Sequence, residues 1–357
     1  MTAMSIRINK IRVSLLLFTI LFSFATISAQ QKPEYTQYIL NQYILNPALS
    51  GIENYTDVKL SHRHEWVGIS DAPVTTYLTV QGPIGKQDNR TTATTVLPSL
   101  NGENIHGKEY WDEYVAPPAH HGVGVQFIND NTGPFNSFSF FGTYAYHMPI
   151  GVKTTLSAGL GLGVTKLTLN TSKLFFGPDY PVDPSIYVYD NPVIGKTRFD
   201  ANAGLWLYSA KYFVGLSALQ LVPQQIDFSD SGTTLTKGKG KVVPHIFGTF
   251  GYRLQLSDDV SMLPSIMVKD VTPLPMQIDL NVKLEYEDLV WIGVTYRGNY
   301  GFAGMAGFNA ANKFTISYSY DYSTTKLNTV SSGTHEIIIG FALGNKYSTD
   351  NSPRNMW

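Results

Sequence analysis

The chain has 357 residues, a formal net charge of −1, only 15% charged residues and no cysteine, whereas Gly (31), Tyr (22) and Phe (19) are abundant. A balanced, sparse charge gives no basis for nucleic-acid binding, which needs clustered Lys and Arg to displace counterions. The missing thiols exclude a disulfide framework, a thiolate metal site, a cysteine nucleophile and a lipidated N-terminal cysteine.

At the start, Arg7, Lys10 and Arg12 precede an apolar run from Val13 to Ile27 and the small residues Ser28 and Ala29. This is the layout of a signal peptide, residues 1–29, cleaved after Ala29. The run is shorter than the roughly 20 residues a spanning helix needs. Residues 30–56 show no period of two, and Asn46-Pro47 and Ser50-Gly51 signal turns. Tyr35, Tyr38, Ile39, Tyr43, Ile44 and Leu45 make this segment too apolar for a free tail. It is expected to pack onto or into the domain that follows, as a periplasmic segment or a plug. A helix would give it only a partial stripe, from Tyr35 through Tyr38/Ile39 to Gln42/Tyr43, and Pro47 bars helix at Asn46.

Fourteen strand patterns then follow, at 57–67, 73–83, 120–130, 135–148, 152–169, 196–209, 211–221, 242–256, 260–270, 274–287, 289–299, 301–311, 313–323 and 335–344, with a tail at 345–357. Most reach the 9 to 11 residues of a tilted membrane strand, where globular strands average nearer 5 or 6. The alternation is clear in 277–287, where Ile278, Leu280, Val282, Leu284 and Tyr286 oppose Gln277, Asp279, Asn281, Lys283 and Glu285. Such a charged face is foreign to a sandwich core and ordinary in a wet lumen. The same division in 313–323 sets Phe314, Ile316, Tyr318, Tyr320 and Tyr322 against Thr315, Ser317, Ser319, Asp321 and Ser323. In 154–164, Ser157, Gly159, Gly161 and Gly163 share the inner side, leaving room for whatever fills the barrel. Arg63, Glu65, Arg253, Asp279, Lys283, Glu285, Arg297 and Asp321 are the expected lumen-facing charges.

The fold class is therefore all-β, one transmembrane antiparallel β-barrel of about 14 strands over 57–344, with periplasmic termini. Short joins near 149–151, 210, 257–259, 288 and 312 then fall on the periplasmic side, and the long joins 170–195, 222–241 and 324–334 fall outside the cell, as barrels require. The insertion 84–119 is the exception, long and periplasmic.

Little in the chain carries catalytic chemistry. His62 and His64 share a strand face beside Glu65, but lack the i, i+4 helical spacing of a zinc site. The rings of His120 and His121 point to opposite faces. Serines and histidines occur without a nucleophile signature. Lys237, Lys239 and Lys241 read as a solvated loop, and Glu109, Asp112 and Glu113 lack calcium-loop spacing, reading instead as an amphipathic contact segment with Tyr110, Trp111 and Tyr114. The expectation is no enzyme, no cofactor and no metal.

Two ends of the mature chain carry a family resemblance. The first holds Gln37-Tyr38, Asn41, Asn46-Pro47-Ala48-Leu49-Ser50-Gly51, Arg63, Trp66, Ala72-Pro73 and Thr75-Thr76. The second runs from Ser317-Tyr318-Ser319-Tyr320-Asp321-Tyr322-Ser323 to Gly333-Thr334-His335-Glu336-Ile337. Together they resemble the PorP/SprF family of type IX secretion and gliding-motility proteins of Bacteroidetes. The resemblance implies an outer-membrane barrel that is neither an enzyme nor primarily a pore. It implies partners among secreted surface adhesins, through their C-terminal secretion domains, and among periplasmic secretion or motility components. Tyr180, Tyr187, Tyr189 and Phe228 in the long outer joins are the candidate partner anchors. The alternative is a channel for a small solute or an apolar molecule. The 84–119 insertion departs from the family pattern, in which the second and third strands are closely joined.

Overall fold

A computed structural model of the chain describes residues 33–86, 114–174, 193–226, 240–257, 259–287, 289–298, 300–310 and 313–344. The strands are β1 (Thr56–His64), β2 (Val74–Ile84), β3 (His120–Thr132), β4 (Phe135–Pro149), β5 (Thr155–Asn170), β6 (Val193–Tyr208) and β7 (Tyr212–Leu219). A two-residue ribbon of β8 (Gln225–Ile226) and β9 (Gly240–Lys241) follows, then β10 (His245–Tyr252), β11 (Leu254–Gln255), β12 (Val260–Asp270), β13 (Gln277–Tyr286), β14 (Val290–Arg297), β15 (Gly301–Ala310), β16 (Phe314–Ser323) and β17 (Thr334–Leu343).

Apart from the ribbon, neighbours in sequence are neighbours in the sheet; β1 pairs with β17 and β10 with β12, so the antiparallel sheet closes on itself as a fourteen-strand barrel. The expected strand at 242–256 is interrupted: β11 continues β10, and the break falls opposite Leu263-Pro264 of β12. Proline has no N–H for the ladder, so the pairing lapses there and resumes at Leu254.

Outward and inward residues separate along each strand. On β13 and β14, Leu280, Val282, Ile292 and Val294 are 43–59% exposed, whereas Asp279 and Thr295 are fully buried. The exposed rows form the apolar outer band, and tyrosines mark its two edges: Tyr296, Tyr320 and Tyr322 at one, Tyr144, Tyr146, Tyr252 and Tyr286 at the other. That is the aromatic girdle of a membrane barrel. Strands β3 to β6 run 13 to 16 residues, whereas β7, β10 and β12 to β17 run 8 to 11, so the wall is taller on one side.

β1 begins and β17 ends at one rim, here the terminal rim, with the joins 149–155, 208–212, 252–260, 286–290 and 310–314. The opposite, loop rim carries 170–193, 219–245 and 323–334, together with shorter turns. The long joins therefore start and end at one mouth, and 84–120 starts and ends at the other. There Lys86 donates to the Ile52 carbonyl (2.7 Å) and Ala116 N–H to Val152 O (2.8 Å).

Placing arginine at Val294, in the middle of the outer band, is expected to cost about 2–4 kcal/mol. Urea unfolding of the barrel in lipid vesicles measures this, and an unchanged midpoint would show that Val294 does not face lipid.

Candidate functional site: a filled lumen

The segment before β1 does not stay at the terminal rim. From Ile52 it climbs the lumen, so that Pro33 and Glu34 lie at the level of Lys269 and Arg297, the loop-rim ends of β12 and β14. Its backbone is a chain of 3-10 turns, Thr36–Leu40, Gln42–Ile44 and Pro47–Leu49, not the α-helix with a partial stripe. The turns break because residues must reach walls on every side. Tyr38 meets Asn281, Tyr43 meets Thr143 (2.6 Å) and Asn41 meets Thr79 (3.0 Å).

The lower turn sits on glycines. A Cβ on Gly122 would lie 1.7 Å from the Ser50 carbonyl oxygen, one on Gly159 2.4 Å from Ala48 N, and one on Gly204 1.9 Å from Asn46 Oδ1. No other side chain fits these three positions beneath the Asn46–Gly51 turn. The turn is held by its own chemistry as well: Asn46 Oδ1 accepts from Ala48 N–H (2.9 Å), and Asn46 Nδ2 donates to Leu205 O (3.0 Å). Ser157 donates to Ala48 O (2.6 Å), His147 Nε2 to Ser50 O (2.8 Å) and Gly51 N–H to Gln81 Oε1 (2.5 Å). Around this turn Ile39, Tyr43, Leu49 and Ile52 pack with the inward Trp206, Tyr208, Phe213, Leu263 and Trp291.

The upper half is tied by charge. Arg63 binds Glu65 (3.0 Å), Asp321 (2.9 Å) and Glu336 (3.3 Å), and donates to the Thr36 hydroxyl (2.5 Å). Glu336 in turn accepts the backbone N–H groups of Thr36 (2.8 Å) and Gln37 (3.2 Å). Next to this, Arg297 binds Asp279 (3.1 Å), Glu34 (3.3 Å) and Asp321 (3.6 Å), while Lys269 binds Glu34 (3.2 Å). Burial alone would raise the Glu34 carboxyl, but the Arg297, Lys269 and Arg63 charges outweigh it and hold the group below its ordinary value of 4.5. Its contribution is therefore complete above that value and fades as pH falls through the lowered one.

The residues that carry the family resemblance each have a definite place. Asn46, Pro47 and Gly51 form the lower turn; Arg63, Asp321 and Glu336 form the knot that grips its upper half. Trp66, Pro73, Gly333, Tyr320 and His335 knit the loop rim. The Glu65 N–H donates to Pro73 O (2.9 Å), Val67 N–H to Gly333 O (2.9 Å), the Tyr320 hydroxyl to Ser332 O (3.2 Å), and His335 Nδ1 pairs with the Tyr318 hydroxyl (2.7 Å). Trp66 and Gly333 both have positive φ, 49° and 91°, and a Cβ at Gly333 would strike the Tyr320 ring. Glu65, Arg253, Asp279, Lys283, Glu285 and Arg297 lie on the inner side, with Lys283 paired to Glu285 (3.1 Å) and set over the Trp291 ring.

The expected wet lumen is corrected: these charges are at most 8% exposed, because the climbing segment fills the space water would occupy. His62 and His64 flank the inward Arg63 and face outward, and among the described residues no three His, Asp or Glu side chains are grouped to hold a metal. Tyr180, Tyr187, Tyr189, Phe228, Glu109, Tyr110, Trp111, Asp112, Glu113, Lys237 and Lys239 lie outside the described residues.

The two stretches that carry the resemblance thus meet in space, Arg63 opposite Glu336 in the β1–β17 ladder, and the sequence profile described as "Type IX secretion system membrane protein PorP/SprF" matches residues 27–341. The chain belongs to the PorP/SprF family. No curated protein matches it. Among solved structures it is similar to the toluene transporter TbuX of Ralstonia pickettii, at 11% identity and a TM-score of 0.45 over 86% of this chain and 93% of that one. It is likewise similar to the CymD monoaromatic hydrocarbon channel (10%, TM-score 0.46, 88% and 94%) and to the translocator domain of the autotransporter NalP of Neisseria meningitidis (12%, TM-score 0.35, 80% and 85%). At such scores nothing about cargo carries over to this PorP/SprF chain.

Two outcomes follow from the geometry. Gly159→Leu removes the seat of Ala48, so the barrel should remain heat-modifiable on gels but conduct ions in a planar bilayer where the parent does not. Arg63→Ala strands Glu336 in a dry interior, leaves Asp321 only its longer Arg297 pair and the Thr36 hydroxyl, and is expected to lower stability by about 3–5 kcal/mol, read from urea unfolding.

Proposed function

We propose that this PorP/SprF barrel sits in the bacterial outer membrane, exported there by residues 1–29, and holds a secreted surface protein at its loop rim without catalysing a reaction. The observation that carries this reading is the filled lumen. A barrel whose interior is occupied by its own chain, hydrogen-bonded to strands on every side, is poorly arranged for conduction and leaves its rims as the surfaces open to partners. The partner class is the one the family implies, a secreted adhesin or its C-terminal secretion domain, engaged in export, anchoring or gliding. The long joins 170–195, 222–241 and 324–334 supply the contact, with Tyr180, Tyr187, Tyr189 and Phe228 as its aromatic anchors.

Under the same orientation the terminal rim is periplasmic, and the 84–119 insertion is a contact for periplasmic secretion or motility components. Its described ends are fastened to Ile52 and Val152 at that rim. The competing function, a channel for a small solute or an apolar molecule, requires the climbing segment to leave the lumen.

Affinity purification from the native membrane followed by mass spectrometry is expected to recover one dominant secreted protein. Shortening 175–192 and 227–239 together should release that protein into the medium while the barrel stays heat-modifiable. Surface retention unchanged by both deletions would rule out these two joins, and with them their four aromatic anchors, as the docking face. Replacing 88–112 by a Gly-Asn turn should leave the barrel folded and abolish co-purification of the periplasmic component that a cross-linker at position 111 of the parent captures; a component that still co-purifies with the deletion variant would place that contact elsewhere.

A further inference from the structure

Glu34 is the one charged residue between Pro33 and Ile52, and it stands differently from the rest of the segment. Thr36 and Gln37 are fully buried, whereas the Glu34 side chain is 25% exposed at the loop-rim mouth. It bridges two cations that are themselves nearly buried, Lys269 at 3.2 Å and Arg297 at 3.3 Å. Beside it lies a small recess of about 20 Å³, open to solvent, which Pro33 and Glu34 themselves help to wall together with Tyr35, Leu45, Phe247, Met267, Lys269, Asp279 and Arg297, so that it widens only when those first two residues leave.

From this we infer that the recess is a binding site for a carboxylate carried on an apolar group, and that Glu34 occupies it as a resident, exchangeable ligand. Charge complementarity defines the class. Arg297 keeps Asp279 (3.1 Å) and Asp321 (3.6 Å) whatever Glu34 does, whereas Glu34 is the only carboxylate recorded within ion-pair distance of Lys269 among the described residues. An incoming carboxylate that takes the Glu34 position restores both contacts with no change in local charge, so its desolvation is offset by cations already in place. Phe247, Met267 and Leu45, buried while Pro33 and Glu34 are seated, then line the space those two residues vacate and receive the apolar part. Neutral or cationic ligands gain nothing from Lys269.

The displacement asks little of the remaining segment. The grip on Thr36 and Gln37 by Glu336 and Arg63 starts two residues later, and Tyr35 is clamped edge-on against Tyr77 at 5.3 Å between ring centres. Only Pro33 and Glu34 need to swing toward the mouth, leaving the rest of the lumen filled. The required chemistry is shared by two sources, the free C-terminus of a polypeptide ending in an apolar residue and an alkyl carboxylate. The site rests on lumen geometry alone and does not depend on which secreted protein docks.

The chain has no cysteine, so Pro33→Cys gives a single reporter in the full-length barrel in detergent. Its rate of reaction with a hydrophilic maleimide should rise on adding decanoate or a tripeptide ending in Leu-Phe with a free carboxylate. Decanol and the same tripeptide as its amide are the controls and should leave the rate unchanged. Glu34→Gln should by itself speed labelling and bind the acid about tenfold more tightly by calorimetry, since a competing charge-assisted contact is gone. Lys269→Met should abolish acid binding. A response to decanoate alone assigns the site to alkyl carboxylates, and a response to the peptide acid alone assigns it to chain termini; both support the inference. It is overturned if the acids and their neutral analogues act alike, or if no ligand changes the rate. Should Glu34→Gln fail to fold, the Pro33→Cys comparison of acid with neutral analogue decides the question unaided.

Discussion

The structure turns on the guanidinium of Arg63. Its partners come from three separate parts of the chain: Thr36 in the lumen segment, Asp321 on β16 and Glu336 on β17. In a dry interior each of these groups would be costly alone, because removing an ion from water forfeits several kcal/mol that only well-placed partners return. Together they make one satisfied network, and that network fixes the β1–β17 closure and the height of the lumen segment at the same time. The loop rim inherits its order from this point, since the positive-φ turn at Trp66 and the Gly333 turn lie just beyond Arg63 and Glu336 on the two paired strands.

Beneath that knot the interior changes character. The upper half of the segment is held by charge and the lower half by shape: glycines at 122, 159 and 204 let a turn lie directly on the strand backbones. The two devices differ in how they fail. A charge network exchanges partners readily when another ion of the same sign arrives, whereas a close-packed backbone seat has no substitute of comparable fit. Any rearrangement that stops short of unfolding is therefore expected to begin at Glu34 and to leave Asn46–Gly51 in place.

Much of this was legible in the sequence, because a period of two with charges on one side and Leu, Ile, Val and Tyr on the other states both strand and orientation. Asp279, Lys283, Glu285 and Arg297 follow from alternation alone, as do the fourteen strands and the sharing of one rim by the long joins. The glycines at 159, 161 and 163 announce a space, but not its occupant. The segment that fills it has no period to read, since its side chains address different walls at each turn and its backbone is neither helix nor strand. A polar inner face reads as a wet lumen, yet polar side chains serve equally to bond a buried chain, as Thr143 does for Tyr43 and Ser157 for Ala48. Alternation cannot distinguish water from backbone as the partner.

The sequence separation of these contacts bears on how the molecule assembles. Thr36 N–H reaches Glu336 across 300 residues, and the cradle contacts of Tyr43 and Asn46 span 100 and 159. Loop-closure entropy grows only slowly with length, about 0.6 kcal/mol per doubling, so the separation itself is a modest thermodynamic cost. The contacts fall into two groups. The cradle residues lie on β3 to β6, whereas Asp321 and Glu336 lie on β16 and β17, beside the closing seam with β1. A segment seated early on the glycines would hold β1 near the growing sheet until Glu336 comes round to meet Arg63. Closure then delivers the ladder and the charge network in one step. A lumen segment at the front of the chain and a closing acid at its end are thus parts of one device, which explains physically why the two recognisable stretches of this sequence stand so far apart and yet meet.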